Sequence, residues 1–278
     1  TTIAGLQFGS LFSADRYRRM KRVDKWLNQI IQGDCLEVMR DIPDKSVDMI
    51  LCDLPYGTTA CKWDTIIPFE PLWEQYKRLI KDNGAIVLTA SQPFTTSLIA
   101  SNMAMFKYCW VWENNRAANF AQAPYMPLKT VEDVVVFSFA TIAQNSINRM
   151  KYYPQGLIDI NKVCAGKKAN DHRPNRADQK PYKQTKSGYP GMVLRYGKEI
   201  KSYHPTQKPV ALFEYLIRTY TNEGEIVLDN CMGSGTTAVA ALNTGRFFIG
   251  IEKEPKYVEI ARKRVEQAQA QRSLFGTM

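Results

Sequence analysis

Two short stretches carry side chains spaced for chemistry. In MILCDLPYGTTACKWD (Met49–Asp64) an apolar run ends in Asp53, Leu54, Pro55 and Tyr56, so a buried strand would deliver a carboxylate and an aromatic ring side by side into an opening. In EIVLDNCMGSGTTAVAALNTG (Glu225–Gly245) an apolar run breaks into a glycine-rich turn and then a helix. There Gly233 and Gly235 let the backbone approach a ligand, Thr236 and Thr237 can cap the helix start, and Glu252 follows Gly233 by 19 residues at the end of the next strand. An acid at that spacing can reach both ribose hydroxyls of a nucleotide-like cofactor. Each stretch also has a plainer reading: Asp53 as a turn or cap acid, and the glycines as room for a helix to pack on a sheet. GSGTT lacks the lysine that a triphosphate-binding loop places before its Ser/Thr, which argues against a nucleoside triphosphate.

The elements that must position these groups follow an α/β alternation. VDMILCD and GAIVLTA are short apolar runs with β-branched content. Between them FEPLWEQYKRLIKDNG spaces Phe69, Leu72, Trp73, Tyr76, Leu79 and Ile80 along one helical face, with Gly84 as the expected stop. Strand, helix, strand is the sign of a parallel sheet. YCWVW and VEDVVVFSFA read as further strands, PVALFEYLIRTYTNEG as a helix, and RFFIGIEKEP as a strand ending in an acid. No internal repeat is present.

Composition bounds the class. The chain of 278 residues, 45% hydrophobic and 23% charged, suits one main globular domain with an insertion. No apolar run reaches the roughly 18 residues of a membrane span, and the basic residues of TTIAGLQFGSLFSADRYRRMKR follow its weakly apolar part, the reverse of a signal peptide; a cytoplasmic protein is expected. Six scattered cysteines without a C-x-x-C pair, and only His172 and His204 to join them, argue against a zinc site or a disulfide framework, so no metal is expected. The net charge of +10 predisposes the chain to polyanions, although solubility alone also accounts for it.

That charge is concentrated. From Thr141 to Lys198 twelve bases face three acids, an excess of nine positive charges, interleaved with Tyr152, Tyr153, Tyr182, Tyr189 and Tyr196. The segment shows neither helical nor strand periodicity and reads as a long surface insertion, either a phosphate-neutralising and stacking surface or a solvated loop.

Taken together, DLPY at a strand end, LDNCMGSGTT with a downstream IGIEKE, and HPTQKP before the following helix resemble the S-adenosylmethionine-dependent DNA amino-methyltransferases. Their order, catalytic motif first, then a basic insertion, then the cofactor motif, resembles the circularly permuted beta group, and WVWENNRAANFAQAPYMPLKTVEDVVVF is similar to its region after the catalytic site. The resemblance spans roughly Asn28 to Gln267 outside the insertion. It implies a Rossmann-like, doubly wound methyltransferase sheet over residues 28–278, a basic N-terminal extension over 1–27, and an inserted DNA-recognition region over 141–200. The implied reaction is site-specific transfer of a methyl group from S-adenosyl-L-methionine to adenine N6 in double-stranded DNA by base flipping.

Site residues follow residue by residue. Asp53 and the Leu54 carbonyl would accept the amino hydrogens, Pro55 would fix the turn, and Tyr56 would give the base a face to stack on; the family usually has proline at the position of Leu54. Asp53 also borders the cofactor side. Asp229, Gly233, Gly235 and Thr236 match positions beside the cofactor, Lys208 the contact to its methionine carboxylate, Asp34 an acid near its adenine amino group, and Glu252 the ribose acid. Asp34 and Thr206 also read as helix caps, and Lys208 as a solvated lysine. Lys167, Lys168, Arg173, Arg176, Lys180, Tyr182 and Lys183 are the expected DNA contacts. Aspartate rather than serine at position 53 favours adenine N6 over cytosine N4. RNA, a protein glutamine, or a catalytically inactive DNA-binding protein of the same fold are the other readings, and the DNA methyltransferase reading is compatible with a homodimer and with a partner restriction endonuclease.

Overall fold

The computed structural model describes residues 23–59, 61, 64–117, 119–166, 180–197, 203 and 206–275. In chain order its regular elements are β1 (Gln29–Gln32), α1 (Cys35–Asp41), β2 (Val47–Asp53), α2 (Phe69–Leu79), β3 (Ile80–Ala90), α3 (Phe94–Ser101), β4 (Phe106–Glu113), β5 (Val131–Phe137), β6 (Ile158–Cys164), β7 (Tyr182–Ser187), β8 (Val193–Arg195), α4 (Val210–Tyr220), β9 (Ile226–Asp229), α5 (Thr236–Asn243), β10 (Phe247–Glu252) and α6 (Pro255–Phe275). Eight strands form one sheet in the order β1-β10-β9-β2-β3-β5-β4-β8. Neighbours pair in parallel except β5, which runs against β3 and β4. The last two strands of the chain therefore sit between β1 and β2, as expected of a permuted order.

The alternation of side chains along β2 shows why both faces are covered. Met49 and Leu51 pack with α4, α5 and α6 through Leu216, Ala241 and Val265. Ile50 and Cys52 pack on the other face with α1, α2 and α3 through Met39, Tyr76 and Leu98. A period of two with both faces apolar is what a doubly covered parallel strand requires. Each such fully buried aliphatic side chain contributes roughly 1.5–3 kcal/mol, and Leu51→Ala would cost about 2–5 kcal/mol through the cavity it leaves.

Three local expectations are corrected. The helix expected to run to Gly84 ends at Leu79, Ile80 turns extended (φ −71°, ψ 137°), and Gly84 lies inside β3. A Cβ there would stand 2.6 Å from the Asp48 carbonyl oxygen, where the pairing of β2 with β3 slips register, so the glycine serves strand approach rather than helix termination. At α5 the N-cap is Gly235 (φ +86°), with no side-chain cap; Thr236 and Thr237 lie inside the first turn. The basic segment is not devoid of strands: β6 and β7 form an antiparallel ribbon, and β8 extends the main sheet beside β4. Both faces of the ribbon are largely exposed, so no burial pattern marks it in sequence.

Candidate active site

Parallel pairing brings the carboxyl ends of β2, β9 and β10 to one edge, so Asp53, Asp229 and Glu252 surround a cavity of about 570 Å³. Ligands in open α/β sheets bind at this edge. Asp34, Leu54, Pro55, Tyr56, Lys208, Gly233 and Thr236 also line it. Gly235 does not: its missing Cβ would meet Ala261 at 2.9 Å, so it makes room for α6.

On the β9 side, Asp229 is 2% exposed and accepts from the Cys231 N–H at 3.0 Å and from the Thr237 hydroxyl. Burial pushes its carboxyl up to about 7, against the relief from those donors. Glu252 binds the glycine-rich turn directly, with Oε2 accepting from Gly233 N–H at 2.7 Å and Oε1 from Glu254 N–H at 2.8 Å. Burial raises its carboxyl as well. Gly233 adopts φ +53°, a conformation that strains other residues, and leaves the backbone open to the cavity. Asp34 caps α1, its Oδ1 accepting from Leu36 N–H at 3.0 Å, while its side chain stays half-exposed. Buried acids at two adjacent strand ends, a turn opened by Gly233 and the cavity volume fit a nucleoside-sized cofactor carrying a cationic group.

The β2 side is more tightly organised than its sequence suggests. Lys208, from the segment before α4, is 5% exposed and places Nζ 2.8 Å from each Asp53 oxygen and 3.3 Å from Glu132 Oε2. Burial pulls its ammonium down, but the Asp53 and Glu132 carboxylates more than offset this and hold it above the ordinary lysine value. The Tyr56 hydroxyl donates to Asp53 Oδ1 at 2.7 Å, and the Thr89 hydroxyl donates to the same oxygen. Burial and then the Asp53 charge keep the Tyr56 hydroxyl protonated well above its usual range. Its ring stacks on Phe94 at 5.2 Å between centroids. Leu54 is buried in the core, so packing holds the turn where proline would hold it by its ring.

Three further residues shape the site without having been singled out in sequence. Glu132, at the start of β5, and Thr89, near the end of β3, reach Asp53 or its partner lysine only because those strands are neighbours. Asp64 folds the loop after Tyr56, accepting from the backbone N–H groups of Gly57 (2.9 Å), Thr58 (2.9 Å) and Thr59 (2.7 Å). Burial opposes its charge, yet the Thr59 hydroxyl and then those backbone donors hold its carboxyl below the usual value. An aspartate a few residues after a glycine was the available signal for Asp64; nothing local marked the other two.

The expected DNA contacts lie elsewhere. Lys180, Tyr182 and Lys183 are exposed at or on the β6–β7 ribbon; Lys167, Lys168, Arg173 and Arg176 fall outside the described residues. Several bases counted toward the local charge are engaged within the fold: Lys151 pairs with buried Asp48 (3.0 Å) and with Glu225 (2.5 Å), Lys186 with Asp159 (2.5 Å), and Arg195 with Glu113 (2.8 Å). Among the described residues no cluster fit to hold a metal ion is found, and no helix is long and apolar enough to cross a membrane.

Comparison with known proteins places this geometry. The family model described as DNA methylase, of the N6/N4 type, matches residues 47–263. The DNA adenine methyltransferase YhdJ of Escherichia coli K12 is 31% identical over 261 residues, covering 86% of this chain and 83% of that protein. The type II methyltransferase M2.DpnII of Streptococcus pneumoniae is 27% identical, covering 93% and 94%. Among solved structures, the M1.HpyAVI–SAM complex aligns at a TM-score of 0.56 and 25% identity over 85% of this chain and 98% of that one. The cytosine-N4-specific PvuII DNA methyltransferase aligns at 0.61 over 89% and 93%, and at 16% identity shares the fold.

Proposed function

Because this chain belongs to the N6/N4 DNA methylase family, whose members are S-adenosylmethionine-dependent DNA methyltransferases, we propose that it methylates adenine N6 at defined sites in double-stranded DNA. The observation that carries this reading is the adjacency of Asp53 and the Asp229–Gly233 turn on paired strands, within one cavity. S-adenosylmethionine, when bound, supplies an electrophilic sulfonium methyl. Asp229, Gly233, Glu252 and Asp34 are the residues that would hold it.

An adenine amino nitrogen is a poor nucleophile because its lone pair is delocalised into the ring. Asp53 and the Leu54 carbonyl accept its two hydrogens, turn it toward a tetrahedral shape, and leave the lone pair facing the methyl donor. The Asp53 carboxylate then takes up a proton that becomes acidic only as the new bond forms, so it need not be a strong base. Tyr56, braced by Phe94, offers the extruded base an aromatic wall and offsets part of an extrusion cost of a few kcal/mol. An intact Asp53 and a formed cavity disfavour an inactive DNA-binding protein, and aspartate rather than serine disfavours cytosine N4.

Within this reading residues 141–200 form an inserted recognition region in a methyltransferase unit over 28–278, with the β6–β7 ribbon presenting Lys180, Tyr182 and Lys183 to the duplex. Lys167, Lys168, Arg173 and Arg176 belong to the same proposed surface. Incubation with labelled S-adenosylmethionine and varied duplexes, followed by digestion to nucleosides, tests the whole: N6-methyladenine is expected, and N4-methylcytosine or no product refutes it. Asp53→Ala should abolish transfer while leaving cofactor affinity nearly intact; a large loss of cofactor binding would give Asp53 a different role. Protection of the methylated DNA from endonucleases and a mass measurement in solution test a restriction partner and a homodimer.

A further inference from the structure

In the geometry described, Asp53 is not ready to receive an amino group. Oδ1 already takes hydrogen bonds from Tyr56, Thr89 and Lys208, and Oδ2 takes one from Lys208. A carboxylate offers about four lone-pair sites, so Oδ1 is saturated and Oδ2 keeps one site beside the ammonium that bridges both oxygens. Withdrawal of Lys208 would open Oδ2 fully to an amino hydrogen.

Glu132 is the group placed to receive it. Its side chain is 15% exposed and its Oε2 is buried, in charge contact with Lys208 Nζ at 3.3 Å but outside hydrogen-bond geometry. A buried carboxylate oxygen in that condition is costly, and a shift of the ammonium by a fraction of an ångström would satisfy it. Asp53, Glu132 and Lys208 together carry one net negative charge. That charge suits a reaction in which the amino nitrogen becomes cationic as it takes the methyl.

We propose that Glu132 is a positioning residue for methyl transfer: it draws Lys208 off Asp53 when the target base enters, freeing the carboxylate to hold its share of the amino hydrogens, and it keeps the site anionic. The proposal rests on the reading of Asp53 as the acceptor. It differs from the expectation that Lys208 contacts the cofactor's methionine carboxylate, in which Glu132 has no part.

The test is a single-turnover rate with saturating DNA and cofactor, beside equilibrium cofactor binding, for Glu132→Gln, Glu132→Asp, Lys208→Met and the Glu132→Gln/Lys208→Met double variant. Glu132→Gln should slow transfer roughly tenfold or more, with cofactor affinity changed by less than about threefold. Glu132→Asp should fall between Glu132→Gln and the parent, and on the Lys208→Met background Glu132→Gln should add less than about a twofold effect, since Glu132 acts through the lysine. A parent-like rate in Glu132→Gln, or an equal loss with and without Lys208, overturns the proposal. Should Glu132→Gln fail to melt cooperatively, an unchanged rate in Glu132→Asp does so instead. Asp53→Ala keeps the two readings apart: an active Asp53→Ala protein sinks the acceptor assignment itself, whereas a dead Asp53→Ala beside a parent-like Glu132→Gln sinks only the role of Glu132.

Discussion

Asp229→Asn isolates the energetic burden that the site places on the fold. The carboxyl is 2% exposed and burial raises it from 3.8 to about 7. Because the folded value lies above the unfolded one, the folded state binds the extra proton between these values. Its contribution is fully present below the unfolded pKa and is lost as pH rises through the folded one. About three units at 1.36 kcal/mol each give a total of roughly 4 kcal/mol, of which roughly 3 kcal/mol falls between pH 5 and 8. Asparagine keeps the acceptor for Cys231 N–H and never ionises. Urea unfolding of the cofactor-free protein at pH 5, 6, 7 and 8 should therefore show the variant gaining on the parent by roughly 3 kcal/mol across that range. Cofactor binding should show the opposite preference: a bound cation favours the ionised acid, so the parent should release up to one proton on binding near pH 7 and the variant none. Parallel stability curves for the two proteins would refute the reasoning, because they would mean that Asp229 ionises in the fold without cost.

Other perturbations probe the remaining parts. Glu252→Ala should weaken cofactor binding by roughly 1–3 kcal/mol, since it removes the acceptor proposed for the ribose and strands the N–H groups of Gly233 and Glu254; an unchanged calorimetric Kd would count against it. Asp48→Ala should destabilise the fold by about 3–5 kcal/mol in urea, because buried Asp48 ties Lys81 (2.6 Å), Lys151 (3.0 Å) and the Ile226 N–H (3.1 Å) together at the amino ends of β2 and β9, and a loss below about 1 kcal/mol would contradict that linkage. Neutralising Lys167, Lys168, Lys180 and Lys183 should weaken DNA binding broadly and flatten its salt dependence by up to about one unit of log–log slope per lost contact, with cofactor affinity unmoved. An unaltered slope would move the DNA surface elsewhere, the basic stretch DRYRRMKR being the next place to test.

Much of the architecture was written in local pattern. Apolar runs of β-branched residues, helical spacing from Leu72 to Leu79, and acids or glycines at the ends of those runs identify strands, helices and the edge where a ligand sits, because burial repeats at the period of each element. Asp53, Tyr56, Gly233 and Glu252 stood out for the same reason, each closing an apolar run in a way that core packing alone does not demand. What only the tertiary structure decided is which groups meet. Lys208 reaches Asp53 across 155 residues and Thr89 reaches it across 36, contacts created by strand order and invisible in the spacing along the chain. Gly84 resembled a helix stop because a glycine's freedom looks the same in sequence whether it ends a helix or lets a neighbouring strand approach where a Cβ would stand 2.6 Å from the Asp48 carbonyl oxygen. The β6–β7 ribbon left no trace because a strand wet on both faces has no reason to alternate. Glu132, one acid among several in an ordinary strand, gains its significance from the lysine that the fold buries beside it.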